Sequence, residues 1–273
     1  MPDKLRKMLS VLMALIFVFS ALALAGRLRD GRKTVEANET AQALADAGTE
    51  PSLSAIPEEP IPLDPAPTAP SAAWAPIREE DCFLFEKNLG ALREVSPCVL
   101  GWIYIPDSGI DYPLMAFDDN LTGLDQAWDG TKNSAGSIFL ECRNRRDFSD
   151  FNTLIYGHNI RGGLMFGPLK RYAEQAYLDA HRLVYIVTED AVRRYEVFAA
   201  YEAGVTSDTY RLYFKDGERK QAALDDYVAA AAVGTGVTPS PDDRILTLST
   251  CTGTGTYDTR WVVQAVLTGE FSR

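Results

Sequence analysis

Short apolar runs separated by polar turns dominate residues 77–273, and this pattern predicts a domain built mainly from β-strands. The runs are rich in β-branched and aromatic residues, with Gly, Asn and Asp between them. We expect strands at 99–105, 136–140, 152–157, 183–188, 193–201, 244–251 and 260–269. Many short strands with few helices indicate a closed barrel or a sandwich.

Three segments place their apolar residues at helical spacing instead. Residues 80–93 predict an amphipathic helix at the start of the domain, and a second helix is expected from Met165 through Tyr172. A third helix is expected at 218–232, between two predicted strands. The domain is therefore expected to be mainly β with helical insertions.

A longer apolar run covers residues 8–26, with basic residues on both sides of it. At 1.5 Å per residue, a helix of this run just crosses a hydrocarbon core of about 30 Å. Two interpretations compete: the Ala-Leu-Ala at 23–25 resembles a signal-peptide cleavage site, or the run stays as a single anchor. The run is long for a signal peptide, so we expect a single-pass protein of the cell membrane with an extracytoplasmic main domain.

Residues 34–76 differ from the rest of the chain in composition. They carry seven acidic residues and no basic residue, and eight of the 15 prolines fall between Pro51 and Pro76. Such a segment buries too little apolar surface to fold, and its prolines favour an extended backbone. We therefore expect a cytoplasmic stub, anchor and basic flank at 1–33, an extracytoplasmic linker at 34–76, and the folded domain at 77–273.

Charge and cysteine spacing exclude some partners and cofactors. The formal net charge is −11, and residues 77–273 have no basic stripe, which argues against nucleic acid because phosphate contacts need clustered Lys and Arg. No two of the four cysteines have C-x-x-C spacing, and there are only two histidines, which argues against a zinc site. No acidic loop has the ligand spacing of a calcium site. We expect no metal and no cofactor.

The last predicted hairpin brings a thiol and a guanidinium together. One strand ends at Cys251 and the next begins at Arg260, so both residues flank the same loop. A neighbouring positive charge increases the thiolate fraction of a thiol, whose ordinary pKa is about 8.5. An arginine can also donate to a carbonyl oxygen as it becomes an oxyanion. The pattern predicts Cys251 as nucleophile and Arg260 as oxyanion stabiliser.

A thiol nucleophile needs a proton partner, and either histidine could supply it. His158 follows a predicted strand and leads into a glycine-rich segment, where active-site side chains commonly lie. His181 lies between a predicted helix and a strand, a position typical of a surface or capping residue. We therefore expect His158 to be the proton partner of Cys251.

These residues and their flanks resemble the sortases, and class B in particular. The resemblance rests on Tyr156-Gly157-His158-Asn159, on Thr247-Leu248-Ser249-Thr250-Cys251, and on Arg260 with Val262-Val263. Segments 101–106, 110–113 and 136–140 are similar to the family as well, so the resemblance covers about residues 80–273. The helix at 218–232 stands where class B members carry a long helical insertion.

The resemblance implies a sortase-like closed β-barrel of about eight strands, with an N-terminal helix and a helical insertion before the strand of Cys251. It implies a cysteine transpeptidase that cleaves a C-terminal sorting signal after a threonine, through a thioacyl-enzyme. The implied partners are exported proteins that bear such a signal, an amine of a peptidoglycan precursor or a pilin, and the membrane through the N-terminal helix. Ser249 and Thr250 would line the groove for the signal.

Two other functions remain open from the sequence. The chain could be a membrane-tethered binding or structural barrel whose cysteine is a core residue. It could also be a cell-wall cysteine peptidase of the papain type, although that family usually presents its cysteine before its histidine, whereas His158 precedes Cys251 here.

Overall fold

The computed structural model describes residue 26 and residues 29–47, 76–160, 162–252 and 258–273. Within them, eight strands form a closed barrel in the order β1-β2-β3-β4-β9-β10-β8-β7, and β5 and β6 form a separate hairpin. The strands are β1 (Val99–Ile105), β2 (Ile110–Ala116), β3 (Ile138–Leu140), β4 (Asn152–Tyr156), β5 (Asn159–Ile160), β6 (Leu164–Met165), β7 (Leu183–Val187), β8 (Ala191–Gly204), β9 (Ile245–Cys251) and β10 (Thr259–Ser272). The closed barrel that the resemblance implied is confirmed.

The barrel mixes antiparallel and parallel neighbours, and one parallel pair positions the site. β4 and β9 run parallel, in register from Asn152 beside Ile245 to Tyr156 beside Ser249. β9 and β10 form an antiparallel hairpin on the other side of β9. Because parallel strands end at the same edge of a sheet, the segments that follow β4 and β9 leave the barrel at the same end.

Side chains on the two faces of β9 are buried in different clusters. Leu246 and Leu248 point into the barrel, where they pack in the largest apolar cluster of the described residues. Ile245 faces outward and packs in a second cluster that includes Leu224 of the helical insertion. An eight-stranded barrel is just wide enough for side chains to fill, so the interior is a packed core and the chemistry belongs at its rim.

β2 is the barrel strand that the sequence pattern did not predict. Its sequence includes Asp111 and Pro113, and proline is unusual inside a sheet because it has no N–H to donate. Pro113 nevertheless lies directly beside Trp102 of β1. The Asp111 carboxylate accepts a hydrogen bond of 2.5 Å from the Trp102 indole, so the polar residue that obscured the pattern is satisfied inside the fold.

The predicted helix at 80–93 is two shorter elements, a 3-10 helix at Glu79–Glu86 and α2 at Leu89–Val95. They separate at Lys87, whose side chain is 3% exposed and lies over the Trp102 ring. Asn88 caps α2 by accepting a hydrogen bond from the Ala91 N–H at 3.0 Å. A capping residue of this kind favours a new helix start over continuation.

The other two predicted helices are present with shifted bounds. A 3-10 helix at Gly167–Ala173 stands where a helix from Met165 through Tyr172 was expected, and α3 at Gln175–Ala180, which was not predicted, follows it. The helical insertion α4 covers Gly217–Ala230, and the Asp216 carboxylate caps it by accepting from the Arg219 N–H. It lies between β8 and β9 in the chain, as expected.

Part of the expected linker folds onto the barrel. Residues 29–46 form a helix, α1, so the prediction that 34–76 is an extended tether is wrong for residues 34–46. Ala41 and Ala45 of α1 are fully buried, and its Ala37 carbonyl accepts a hydrogen bond of 2.7 Å from the Trp128 indole. The physical reason is local: this stretch is rich in Ala and Glu, which favour helix, and the prolines begin only at Pro51.

The expected localisation as a single-pass membrane protein is contradicted. Among the residues that the structure describes, no helix is long and apolar enough to cross a bilayer. The apolar run at 8–26, on which the expectation depended, lies outside the described residues apart from its last position.

Candidate active site

Cys251 ends β9 and is exposed at the rim of the barrel. Its direct partner across the β9–β10 hairpin is Arg260. Directly paired residues of antiparallel strands share a face and have Cβ atoms about 5 Å apart. The fold therefore brings the predicted nucleophile and the predicted oxyanion stabiliser together, as the hairpin pattern indicated.

His158 lies on the opposite side of Cys251 from Arg260. β4 ends at Tyr156 beside Ser249. Beyond it, the Gly157 N–H donates to the Ser249 carbonyl at 3.2 Å and the Asn159 side chain donates to the Cys251 carbonyl at 2.9 Å, so the backbone of His158 passes beside the end of β9. The Nε2 atom of His158 lies 2.8 Å from the Leu124 carbonyl oxygen. A carbonyl only accepts hydrogen bonds, so this contact assigns the proton of the neutral ring to Nε2 and leaves the lone pair on Nδ1.

Tight packing around Gly157 holds the His158 backbone. A Cβ atom at Gly157 would lie 2.8 Å from the Phe166 ring, a contact that only glycine avoids. Phe166 in turn donates from its N–H to the His158 carbonyl at 3.0 Å. The glycine before the histidine thus allows a buried aromatic ring to support the backbone of the predicted proton partner.

The predicted groove residues Ser249 and Thr250 lie on opposite faces of β9. Ser249 shares the face of Cys251, and its hydroxyl lies 3.0 Å from the Tyr210 hydroxyl. Thr250 points to the barrel interior, and its buried hydroxyl has no hydrogen-bond partner among the described residues. The side chain of Ser249 is therefore brought to the site, whereas that of Thr250 is directed away from it.

Tyr210 is a site residue that the sequence analysis missed. Burial raises the pKa of its hydroxyl, the hydrogen bond with Ser249 and the charge of Arg260 lower it, and the charge of Cys251 raises it. The hydroxyl is therefore within electrostatic range of both predicted catalytic side chains. No local pattern marks Tyr210, because it reaches the site from a short 3-10 helix, Asp208–Tyr210, that follows β8.

A second missed feature is a buried carboxylate beside β4. The Glu141 side chain is 1% exposed and accepts hydrogen bonds from Arg143 at 2.7 Å, Asn120 at 2.8 Å and the Tyr156 hydroxyl at 2.9 Å. Burial by itself would raise the pKa of Glu141, but these donors outweigh it and lower the pKa to about 2. The charged carboxylate thus anchors Tyr156, two residues before His158.

A family model described as a sortase domain matches residues 103–268. Sortase B of Listeria monocytogenes is 36% identical over 187 residues, which cover 66% of this chain and 74% of the relative.

Solved structures agree with the sequence match. A Staphylococcus aureus sortase B–substrate complex superposes with a TM-score of 0.62 at 26% identity, over 66% of this chain and 83% of the other. Sortase B of Bacillus anthracis, in complex with AAEK1, superposes with a TM-score of 0.67 at 25% identity, over 90% of this chain and 100% of the other.

Proposed function

This chain belongs to the sortase family, class B, and is a cysteine transpeptidase; on that basis we propose that Cys251 is its nucleophile, His158 its proton partner and Arg260 its oxyanion stabiliser. The observation that carries the proposal is the order of residues across the barrel rim. Arg260 is paired directly with Cys251 on one side, and on the other side the residues before and after His158 contact the carbonyls of Ser249 and Cys251.

In the first step, Nδ1 of His158 takes the proton of the Cys251 thiol, and the resulting thiolate attacks the carbonyl carbon of a threonine in a C-terminal sorting signal. Arg260 donates to the oxygen as it gains negative charge, and the planar guanidinium suits that role. The C–N bond breaks, a proton from His158 passes to the departing amine, and a thioester remains on Cys251. Nδ1 is the ring nitrogen available for this transfer, because Nε2 is engaged by Leu124.

In the second step, an amine attacks the thioester carbonyl carbon. His158 accepts a proton from that amine, the C–S bond breaks, and the Cys251 thiolate is released for another cycle. The acceptor amine would belong to a peptidoglycan precursor or a pilin. Ser249 shares the face of Cys251 but is buried beside the Tyr210 hydroxyl, so a groove role for Ser249, like one for Thr250, stays a prediction from the resemblance.

The decisive experiment is acylation of the nucleophile. We expect wild-type protein to form a thioester with a threonine-containing signal peptide, detected by intact-mass spectrometry, and Cys251→Ala to form none. Cys82→Ala and Cys142→Ala should behave like wild type, because each removes another free thiol outside the proposed site. Turnover of the peptide by Cys251→Ala would refute the assignment.

A further inference from the structure

Two side chains reach from the segment that carries His158 to the backbone that carries Cys251. The Asn159 Nδ2 atom donates to the Cys251 carbonyl oxygen at 2.9 Å. The Lys170 Nζ atom donates to the carbonyl oxygen of Thr252, the next residue. Both contacts hold main-chain atoms at the point where β9 ends.

The Asn159 contact continues the β4–β9 ladder beyond the end of β4. The Gly157 N–H donates to the Ser249 carbonyl at 3.2 Å. In a parallel ladder donors recur at every second residue, so the next acceptor is the Cys251 carbonyl and the next donor position is residue 159. The chain has by then turned into β5, where Asn159 lies beside Met165, and its side-chain amide supplies the donor.

The 3-10 helix that carries Lys170 packs closely against the strand that begins at Asn159. A Cβ atom at Gly167 would lie 2.7 Å from the Ile160 carbonyl oxygen, so the 3-10 helix that carries Lys170 lies against the β5–β6 hairpin. The backbone hydrogen bond from Phe166 to His158 joins the same segment to the proton partner. The two donors and the His158 backbone therefore form one supported unit.

We propose that Asn159 and Lys170 are positioning residues that hold the Cys251–Thr252 backbone in place opposite His158. The proposal rests on the proposed function, since it takes Cys251 and His158 to act together. Both side chains act on main-chain carbonyls, so their loss alters the placement of the sulfur and not the recognition of the signal. The maximal rate should therefore fall while the Michaelis constant for the signal peptide stays nearly constant.

The test is steady-state kinetics of the full chain carrying Asn159→Asp or Lys170→Met. The first variant keeps the shape but loses the donor, and the second keeps an unbranched stem but loses the ammonium. We expect kcat to fall about tenfold or more, with KM within about threefold of wild type, since small misplacements of reacting groups cost large factors in rate. Lys170→Arg should recover most of the loss, because it restores a charged donor.

Matched controls exist elsewhere in the fold. Asn88 donates to the Ala47 carbonyl at 3.2 Å, and Lys220 donates to the Pro241 carbonyl at 3.0 Å. Asn88→Asp and Lys220→Met remove the same kinds of contact away from Cys251 and should leave kcat unchanged. Thermal unfolding of all variants shows whether a lost rate reflects lost folding.

A substrate-free measurement separates this proposal from the proposed function. Iodoacetamide labelling of Cys251 at one fixed pH, read by peptide mass spectrometry, should slow in Asn159→Asp and Lys170→Met and recover in Lys170→Arg. If no signal peptide acylates the wild type but labelling follows this order, the proposed function fails and the positioning role stands. Three results would each overturn the positioning role. These are unchanged kcat and labelling in both Asn159→Asp and Lys170→Met, a rise in KM at constant kcat, and equal losses of rate in the control variants.

Discussion

Glu141 shows how one buried charge can depend on its neighbours. Its carboxylate is almost fully removed from water, yet the three donors around it favour the charged form. Removing one donor from a buried charge leaves a large desolvation cost uncompensated. Because Tyr156 is one of those donors, the charge state of Glu141 also affects the strand that leads to His158.

The depressed pKa of Glu141 predicts a specific loss of stability in acid. A carboxylate with a lowered folded-state pKa stabilises the fold fully above its ordinary pKa of 4.5, and that contribution is lost as the pH falls toward about 2. We expect Glu141→Gln to lower the free energy of unfolding at pH 7 by about 1–3 kcal/mol and to flatten its pH dependence between those values. Urea unfolding at several pH values measures both.

Glu94 supplies the control for this prediction, because it is exposed on α2. Glu94→Gln should leave the acid-side slope of wild type intact. An unchanged slope in Glu141→Gln would show that the buried carboxylate does not account for the acid sensitivity.

At the residue scale, the sequence pattern predicted the candidate catalytic side chains and missed those that we propose position them. Cys251 and Arg260 flank one loop, so a local hairpin pattern was enough to pair them. Asn159 contacts a carbonyl 92 residues away, and Lys170 one 82 residues away. No periodicity in the chain encodes such contacts, because they exist only once β4 and β9 are neighbours.

At the scale of elements, α1 differs most from the sequence prediction. Averaging composition over residues 34–76 concealed a helix-forming stretch ahead of the prolines. The helix is amphipathic only in a weak sense, since its buried positions include Thr34 and two alanines. Its place is therefore set by specific contacts with the barrel, which a pattern of large apolar residues does not reveal.

The hydrogen bond from the Trp128 indole to the Ala37 carbonyl is one of those contacts, and it can be tested by substitution. Trp128→Phe keeps an aromatic ring but removes the donor to the Ala37 carbonyl, so we expect a loss of about 1–2 kcal/mol in the free energy of unfolding. Hydrogen exchange should accelerate most within residues 29–46, because α1 loses a direct attachment.

Trp261 is the matched control, since its buried indole N–H has no hydrogen-bond partner among the described residues. Trp261→Phe should leave exchange in α1 at the wild-type rate. Equal acceleration in both variants would mean that the Ala37 hydrogen bond does not hold the helix.

For the whole molecule, the strand pattern predicted a mainly β domain, and the resemblance to sortases implied that its strands form a closed barrel. Seven of the barrel strands correspond to predicted runs, but periodicity does not state which strands pair. The parallel contact of β4 with β9 joins segments separated by β5 to β8 and by α4. Such long-range pairing is decided by the packed core and not by local sequence.

The position of β9 and β10 predicts the behaviour of a shortened chain. The hairpin lies between β4 and β8, so a chain ending at residue 244 would leave both of those strands with an unpaired edge. Unpaired edges and an open core favour association with other chains. We expect this variant to lack a cooperative unfolding transition in calorimetry and to bind a hydrophobic dye, whereas a monomeric, cooperatively folded product would contradict the prediction.

The same hairpin delivers Cys251 and Arg260, and it has a consequence for biosynthesis. A nascent chain already contains His158 and most of the barrel strands before Cys251 is synthesised. The last two strands, β9 and β10, both close the barrel and bring Cys251 and Arg260. Closure of the barrel and completion of the proposed catalytic set therefore depend on the same hairpin. Under the proposed function, a chain that ends before β9 lacks the proposed nucleophile and cannot capture a peptide as a thioester.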